Sequence, residues 1–285
     1  MIKIFNCFNK KQQRNIELII NKRRNGNNIN TSIVLKILKD IRKNKKKALL
    51  KYEKKFSYNT KLNPTKKEIK KSINSLDPKV KKAIDNAYNR IMKFHKLQKI
   101  KNIRLVDKYR NVIEYKNIPL KSVGIYVPAN LPSTLLMNAI PAKIAGIKKI
   151  VLANPRLNKK LNPAVMYAAK KCGIHSIINV GGAQAIGSLA YIQKVDKIIG
   201  PGNDYVARAK KEVFGDVGID MVAGPSEVSI VADQSADPNL VAADLIAQAE
   251  HDVNAQSILI TNNRNLIRLV NLSLKKQLKK LPKKD

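Results

Sequence analysis

The sequence predicts an α/β protein whose strands run parallel, preceded by basic helices. Three observations carry that reading. Residues 31–97 repeat apolar side chains at three- to four-residue steps on a lysine-rich background, the period of helices with one buried face. From about residue 112, short β-branched runs alternate with helical stretches, as in parallel sheets. Three glycine-bearing turns then follow predicted strands, where open α/β sheets bind their ligands.

In chain order, Val34, Leu38, Ile41, Leu49, Tyr52 and Phe56 form the first apolar stripe, and Val80, Ile84, Ala87, Ile91 and Phe94 a later one. Thr65 and Glu68 have capping-box spacing, and Asp77 before Pro78 sets a cap ahead of a proline at the first helical position. The expected strands are VIEY, VGIYV, KIVLA, SIINV, KIIG, GIDMVA, EVSIVA and SILIT, and a last helix runs from about Arg264 to Leu281. Asp237 and Pro238 mark the start of a helix through QAEHD, whose Gln248 and His251 lie three residues apart. That spacing puts an amide oxygen and an imidazole on one helical face, where both can approach a divalent ion such as zinc. The alternative is a polar helix face in solvent.

At 285 residues the chain is long enough for two domains. Two cysteines, Cys7 and Cys172, with no spaced Cys/His cluster exclude a disulfide framework and a zinc finger. No apolar run is long enough for a membrane span and the start lacks the apolar core of a secretory signal, so a cytoplasmic protein without a membrane partner is expected. The net charge of +36 is lopsided: residues 1–121 hold 35 Lys/Arg against 8 Asp/Glu, whereas residues 196–252 hold 11 acids against 4 bases. Lysines interleaved with helical apolar positions, without exposed aromatics or a readout motif, argue against a nucleic-acid partner.

The three turns are VGGAQAIG, GPGN and AGPSE. Their glycines allow close backbone approach, and Gln184, Asn203 and Ser226 add hydrogen-bonding groups. None matches G-x-G-x-x-G. Each side chain also has a structural reading: Asn203 as a helix cap, Gln184 bonded to backbone, Ser226 closing a turn. His95, His175 and Cys172 have no company that suggests chemistry.

Taken in order, the blocks VGIYVP, LLMNAIPAKIAGIKKIVLANP, NVGGAQAIGSLAY, VDKIIGPGNDYVARAKKEVFG, VGIDMVAGPSEV and ADLIAQAEHD resemble histidinol dehydrogenase. The resemblance is strong from about Lys121 to Thr261 and looser through the N-terminal helices. It implies a cytoplasmic zinc enzyme that oxidises L-histidinol to L-histidine with two NAD+. It further implies zinc on Gln248 and His251, histidinol on these two and Ser226, and NAD on Tyr126, Gln184 and Asn203. Two Rossmann-like domains in a homodimer are expected, residues 126–224 forming one inserted between 1–125 and 225–285.

Two departures stand out. Where the family has two glycines after its YVP block, this chain has Ala129 and Asn130, which narrows the dihedral angles open to a turn near the cofactor. The sequence also stops before the family's glutamate–histidine acid/base pair and the aspartate and second histidine of its zinc set. The resemblance thus implies a chain lacking the C-terminal part, with no catalytic acid or base of its own. Two other readings compete: a truncated, inactive remnant, and a basic RNA-binding protein acting through residues 1–121.

Overall fold

The computed structural model describes residues 3–24, 31–222, 227–250 and 255–281. The chain forms two compact units, Asn28–Ala223 and Met1–Asn27 with Gly224–Asp285. The first helix, α1 (Lys10–Arg24), belongs to the latter unit.

In the 28–223 unit, α2 (Thr31–Ser57) carries the first predicted stripe and is kinked at Lys45. The capping box of Thr65 and Glu68 starts α3 (Lys66–Asn74), and Asp77 caps α4 (Pro78–Lys96) through Lys79 N–H at 2.7 Å. The run VIEY leaves the expected parallel sheet. It forms β2 (Val112–Tyr115), antiparallel to β1 (Ile103–Val106) in a separate two-stranded ribbon. Asp107 closes the connecting turn by accepting from the N–H groups of Tyr109 and Asn111, both at 2.8 Å. A local hairpin of this kind needs only a short turn, whereas joining a parallel sheet needs a crossover.

The main sheet is built from β3 (Ser122–Tyr126), β4 (Lys149–Ala153), β5 (Ser176–Ile178), β6 (Lys197–Ile199) and β7 (Gly218–Ile219). Its order is β5-β4-β3-β6-β7, all pairs parallel. The strands are linked by α5 (Pro132–Ile144), α6 (Pro163–Lys171), α7 (Gly182–Tyr191) and α8 (Asp204–Val213). Strands are added on one side of β3 until β5, and the chain then returns to place β6 on the other side. The strand order therefore reverses between β3 and β6, where doubly wound sheets open a crevice at the carboxyl ends of their strands.

Successive strand residues face opposite sides of a sheet. Val123 and Ile125 of β3 enter one core with Leu135, Leu136 and Ile140 of α5, Met166 of α6 and Ile84 of α4. Tyr126 enters the other, with Leu38, Ile41 and Leu49 of α2, Ile186 and Leu189 of α7 and Val206 of α8. A fully buried Leu or Ile contributes about 1.5–3 kcal/mol, so the stripe of α2 fastens that helix over α7. Contacts of α2 with α7 and of α4 with α5 draw residues 28–125 into the unit that holds the main sheet.

In the other unit, β8 (Glu227–Val231) and β9 (Gln256–Ile260) pair in parallel, with α9 (Pro238–Ala249) between them in sequence and α10 (Arg264–Leu278) after them. Val241, Ala242, Leu245 and Ile246 pack with Leu266, Val270 and Leu274. Among the described residues no helix is long and apolar enough to cross a membrane.

Candidate functional site

The end of β3 lies beside the two turns that carry the other polar groups the sequence singled out for the cofactor. Tyr126 ends β3 and is 6 % exposed, and its hydroxyl accepts from the N–H of Gly182 at 3.4 Å. Burial, with the nearby charge of Glu53 adding to it, pushes its phenol above the ordinary value against the opposing bond from Gly182. The phenol therefore stays protonated at neutral pH and keeps an O–H to donate.

Gln184 lies in the first turn of α7 and is 4 % exposed. Its Nε2 donates to Oε1 of Glu53 at 2.9 Å, and the same oxygen accepts from Gly181 N–H at 3.1 Å. The partner is thus a side chain and not the backbone. Glu53, fully buried on α2, is a site residue the sequence reading missed. Its signal was present: an acid beside Tyr52, four residues after Leu49, falls on the apolar stripe. Burial pushes its carboxyl up, opposed by bonds from Gln184 and Gly181.

Asn203 caps α8, its Oδ1 accepting from Val206 N–H at 3.2 Å, and the residue is exposed. Its capping role is real and occupies its Oδ1. The preceding Gly200 sits against the backbone of Tyr126, where an added Cβ would lie 2.1 Å from the Tyr126 carbonyl oxygen, and its φ is +113°. Both backbone groups of Gly200 are satisfied: its N–H donates to Asp220 Oδ2 at 2.9 Å and its C=O accepts from Lys210 Nζ at 3.0 Å. Lys210 and Asp220 also pair with each other. Lys210 is only 3 % exposed, so an ion pair whose cation is buried and whose Asp220 carboxylate is partly exposed clamps the GPGN turn beside Tyr126. Lys210, four residues after Val206, again put a charge on an apolar stripe.

The loop after Tyr126 absorbs its altered residues without strain. Leu131 N–H closes a turn on Pro128 C=O at 3.3 Å, and neither Ala129 nor Asn130 has a positive φ. Asn154, at the end of β4, holds the loop by donating to the C=O groups of Val127 and Pro128 at 3.0 and 3.1 Å.

Tyr126 is thus bound to the head of α7, which carries Gln184, and its backbone lies against the GPGN turn that ends in Asn203. Two leading N–H groups of α7, those of Gly181 and Gly182, are already taken by Glu53 and Tyr126. A phosphate finds neither free there.

The expected metal pair is only partly visible. Asp237 caps α9 through Asn239 N–H at 2.7 Å, but the helix closes at Ala249 with Glu250 as its C-cap. Gln248 lies in the last turn of α9, and His251 and Ser226 lie outside the described residues. The Nε2 of Gln248 is buried without a partner among the described residues, and its amide oxygen is the donor a zinc ion would use. No cluster of three or more His, Cys, Asp or Glu that could hold a metal occurs among the described residues.

The histidinol dehydrogenase family model matches residues 21–285. The histidinol dehydrogenase of Pelagibacter ubique (strain HTCC1062) is 54% identical over 291 residues, covering 99% of this chain and 68% of that protein. That of Lactiplantibacillus plantarum (strain ATCC BAA-793 / NCIMB 8826 / WCFS1) is 47% identical over 263 residues, 88% of this chain and 61% of that protein. The crystal structure of histidinol dehydrogenase from Elizabethkingia anophelis superposes with a TM-score of 0.81 at 37% identity, covering 93% of this chain and 65% of that one. The chain spans about two thirds of the length of these relatives.

Proposed function

The chain belongs to the histidinol dehydrogenase family, and on that premise we propose that it serves the zinc-dependent oxidation of L-histidinol to L-histidine with NAD+. The observation that supports the proposal is Tyr126, whose hydroxyl bonds the head of α7 next to Gln184 and whose backbone abuts the GPGN turn that ends in Asn203. In this reading the main sheet and the β8–β9 pair belong to two Rossmann-like domains of a cytoplasmic homodimer.

When bound, NAD+ supplies the hydride acceptor and zinc the Lewis acid that polarises the alcohol oxygen. Tyr126 O–H and Asn203 Nδ2 donate to the nucleotide, and Gln184 holds it beside them. Gln248 and His251 would hold the metal and, with Ser226, face the amino alcohol. Two ligands from one segment bind zinc weakly without the rest of a tetrahedral set. The roles proposed for these residues are binding and positioning, and proton transfer falls to none of them.

Calorimetric titration of the full chain with NAD+ and, separately, with zinc tests the proposal. Gln184→Ala should weaken NAD+ about tenfold, the loss of one well-placed hydrogen bond, while Gln248→Ala should abolish zinc uptake and leave NAD+ binding intact. Absence of saturable NAD+ binding, or an equal response of NAD+ to both substitutions, would refute it.

A further inference from the structure

Glu53 is the only acid among the fully buried side chains of the described core, and both ends of its environment are polar in an ordered way. One oxygen, Oε1, accepts from Gly181 N–H and from Gln184 Nε2. The other, Oε2, is buried without a hydrogen bond of ordinary geometry, and the side chains of Ser57 and Asn59 lie close enough to the carboxyl to favour its charge. Because Oε1 accepts from both the Gly181 and the Gln184 N–H groups, the amide of Gln184 turns its nitrogen inward. That leaves Oε1 of Gln184 as the atom turned away from Glu53, against Gly182 at the head of α7, where a Cβ built on Gly182 would come within 3.0 Å of it.

We propose that Glu53 is a positioning residue for the dinucleotide subsite: it locks the Gln184 carboxamide with its oxygen outward, so that Gln184 receives a hydrogen-bond donor of the nucleotide, a hydroxyl or an amino N–H. The inference rests on the dinucleotide reading above and adds the polarity of the contact and the residue that sets it. Glu53 also takes up the leading Gly181 N–H at the positive end of α7. With Gly181 N–H held by the carboxylate and Gly182 N–H by Tyr126, phosphate is turned away from this helix and the donor groups of the nucleoside are selected. The mechanism is local, because α2 is fastened over α7 by Leu38, Ile41 and Leu49 independently of the acid.

Four variants of the full chain test this: Glu53→Met, Gln184→Ala, their double mutant, and the isosteric swap Glu53→Gln/Gln184→Glu. Two measurements are needed, NAD+ affinity by calorimetry and solvent exchange of the Gln184 side-chain amide protons by NMR. In the unmutated chain the Gln184 amide protons should exchange slowly, and Glu53→Met should make them exchange fast. Glu53→Met should weaken NAD+ about tenfold, and no further loss should appear when it is added to Gln184→Ala. The swap keeps a bond between positions 53 and 184 and keeps an acceptor facing outward, so it should bind NAD+ within about threefold of the parent. Should Glu53→Met not fold, the swap alone decides. A tenfold or greater loss in the folded swap would mean that Gln184 donates to the nucleotide, and would overturn the proposal. So would full additivity of Glu53→Met with Gln184→Ala, which would mark Glu53 as merely structural. If the unmutated chain does not bind NAD+, the dinucleotide reading falls and this proposal with it. The NMR exchange still reports whether Glu53 holds Gln184, which separates that failure from an error in the local geometry.

Discussion

Substituting alanine at Gly200 and at Gly215 separates backbone strain from steric exclusion within one unit. Gly200 has φ +113° and Gly215 φ +104°, so both take a conformation that alanine adopts only at a cost of about 1–3 kcal/mol. Their surroundings differ. A Cβ on Gly215 meets nothing within 4 Å, whereas one on Gly200 falls 2.1 Å from the Tyr126 carbonyl oxygen and 3.1 Å from its carbon. The obstacle is backbone of the central strand, which is paired on both sides, so it cannot yield as a flexible side chain would. Relieving the overlap needs a shift of roughly 1 Å, and overpacking of this kind adds about 1–3 kcal/mol. Gly215→Ala should therefore cost about 1–2 kcal/mol and Gly200→Ala about 4, in the uncommon tail for single substitutions. Urea unfolding followed by far-ultraviolet circular dichroism measures both. With an m-value of about 2 kcal/mol/M, the two midpoints should differ by roughly 1 M. Gly200→Ala should also weaken NAD+ because it moves the GPGN turn off Tyr126, and Gly215→Ala should leave NAD+ binding alone. Equal midpoints for the two variants would refute the close approach on which the crevice depends.

Lys210→Met removes one partner of the clamp on Gly200 and strands Asp220. Because the Asp220 side chain is 31% exposed, the loss should be about 2–3 kcal/mol in the same urea assay, below the ~3–5 of a fully buried pair. Glu53→Gln should gain stability relative to the parent as pH rises. The folded carboxyl is held above its ordinary value by burial, so the parent loses stability from the unfolded pKa, about 4.3, up to the folded one. Thermal melts of both proteins from pH 4 to 8 check this, and a constant difference would contradict it. Glu68 has the opposite sign. Thr65 N–H foremost, with Lys61 and Arg156, holds it down at about 2, so its contribution is full above the ordinary 4.5 and fades as pH falls toward 2. Glu68→Gln should flatten that part of the acid melting curve, and Thr65→Ala should cost about 1 kcal/mol at neutral pH.

What the sequence revealed was local chemistry, and what it hid was long-range pairing. The starts of α3, α4 and α9 were legible because a cap and its partner lie within three residues, as for Thr65 with Glu68 and Asp237 with Asn239. The strands of the main sheet were legible as β-branched runs. The run VIEY misled because its partner, Ile103–Val106, sits in a basic stretch that reads as linker, and pairing depends on the turn at Asp107 rather than on composition. Glu53 and Lys210 were overlooked because charges within lysine-rich or amphipathic helices are ordinarily solvated. Their meaning appears only when the stripe they share is seen to be buried.

Those two charges do for the crevice what the glycines alone cannot. Glycine permits the turn at Gly200 to approach Tyr126 but does not hold it there, and an unpaired backbone group in that position would carry a cost of about 1–3 kcal/mol. Lys210 and Asp220 satisfy both groups of Gly200 at once, while Glu53 satisfies Gly181 and orients Gln184. The alternation of β3 turns Tyr126 toward α7 and brings its hydroxyl to Gly182. The three elements are therefore fixed to one another by polar contacts whose partners come from α2, α8 and β3, distant in sequence. A substitution that spares Tyr126, Gln184 and Asn203 but breaks one of these supports should impair nucleotide binding nearly as much as removing a contact residue, because each contact side chain is positioned by backbone that the supports hold in place.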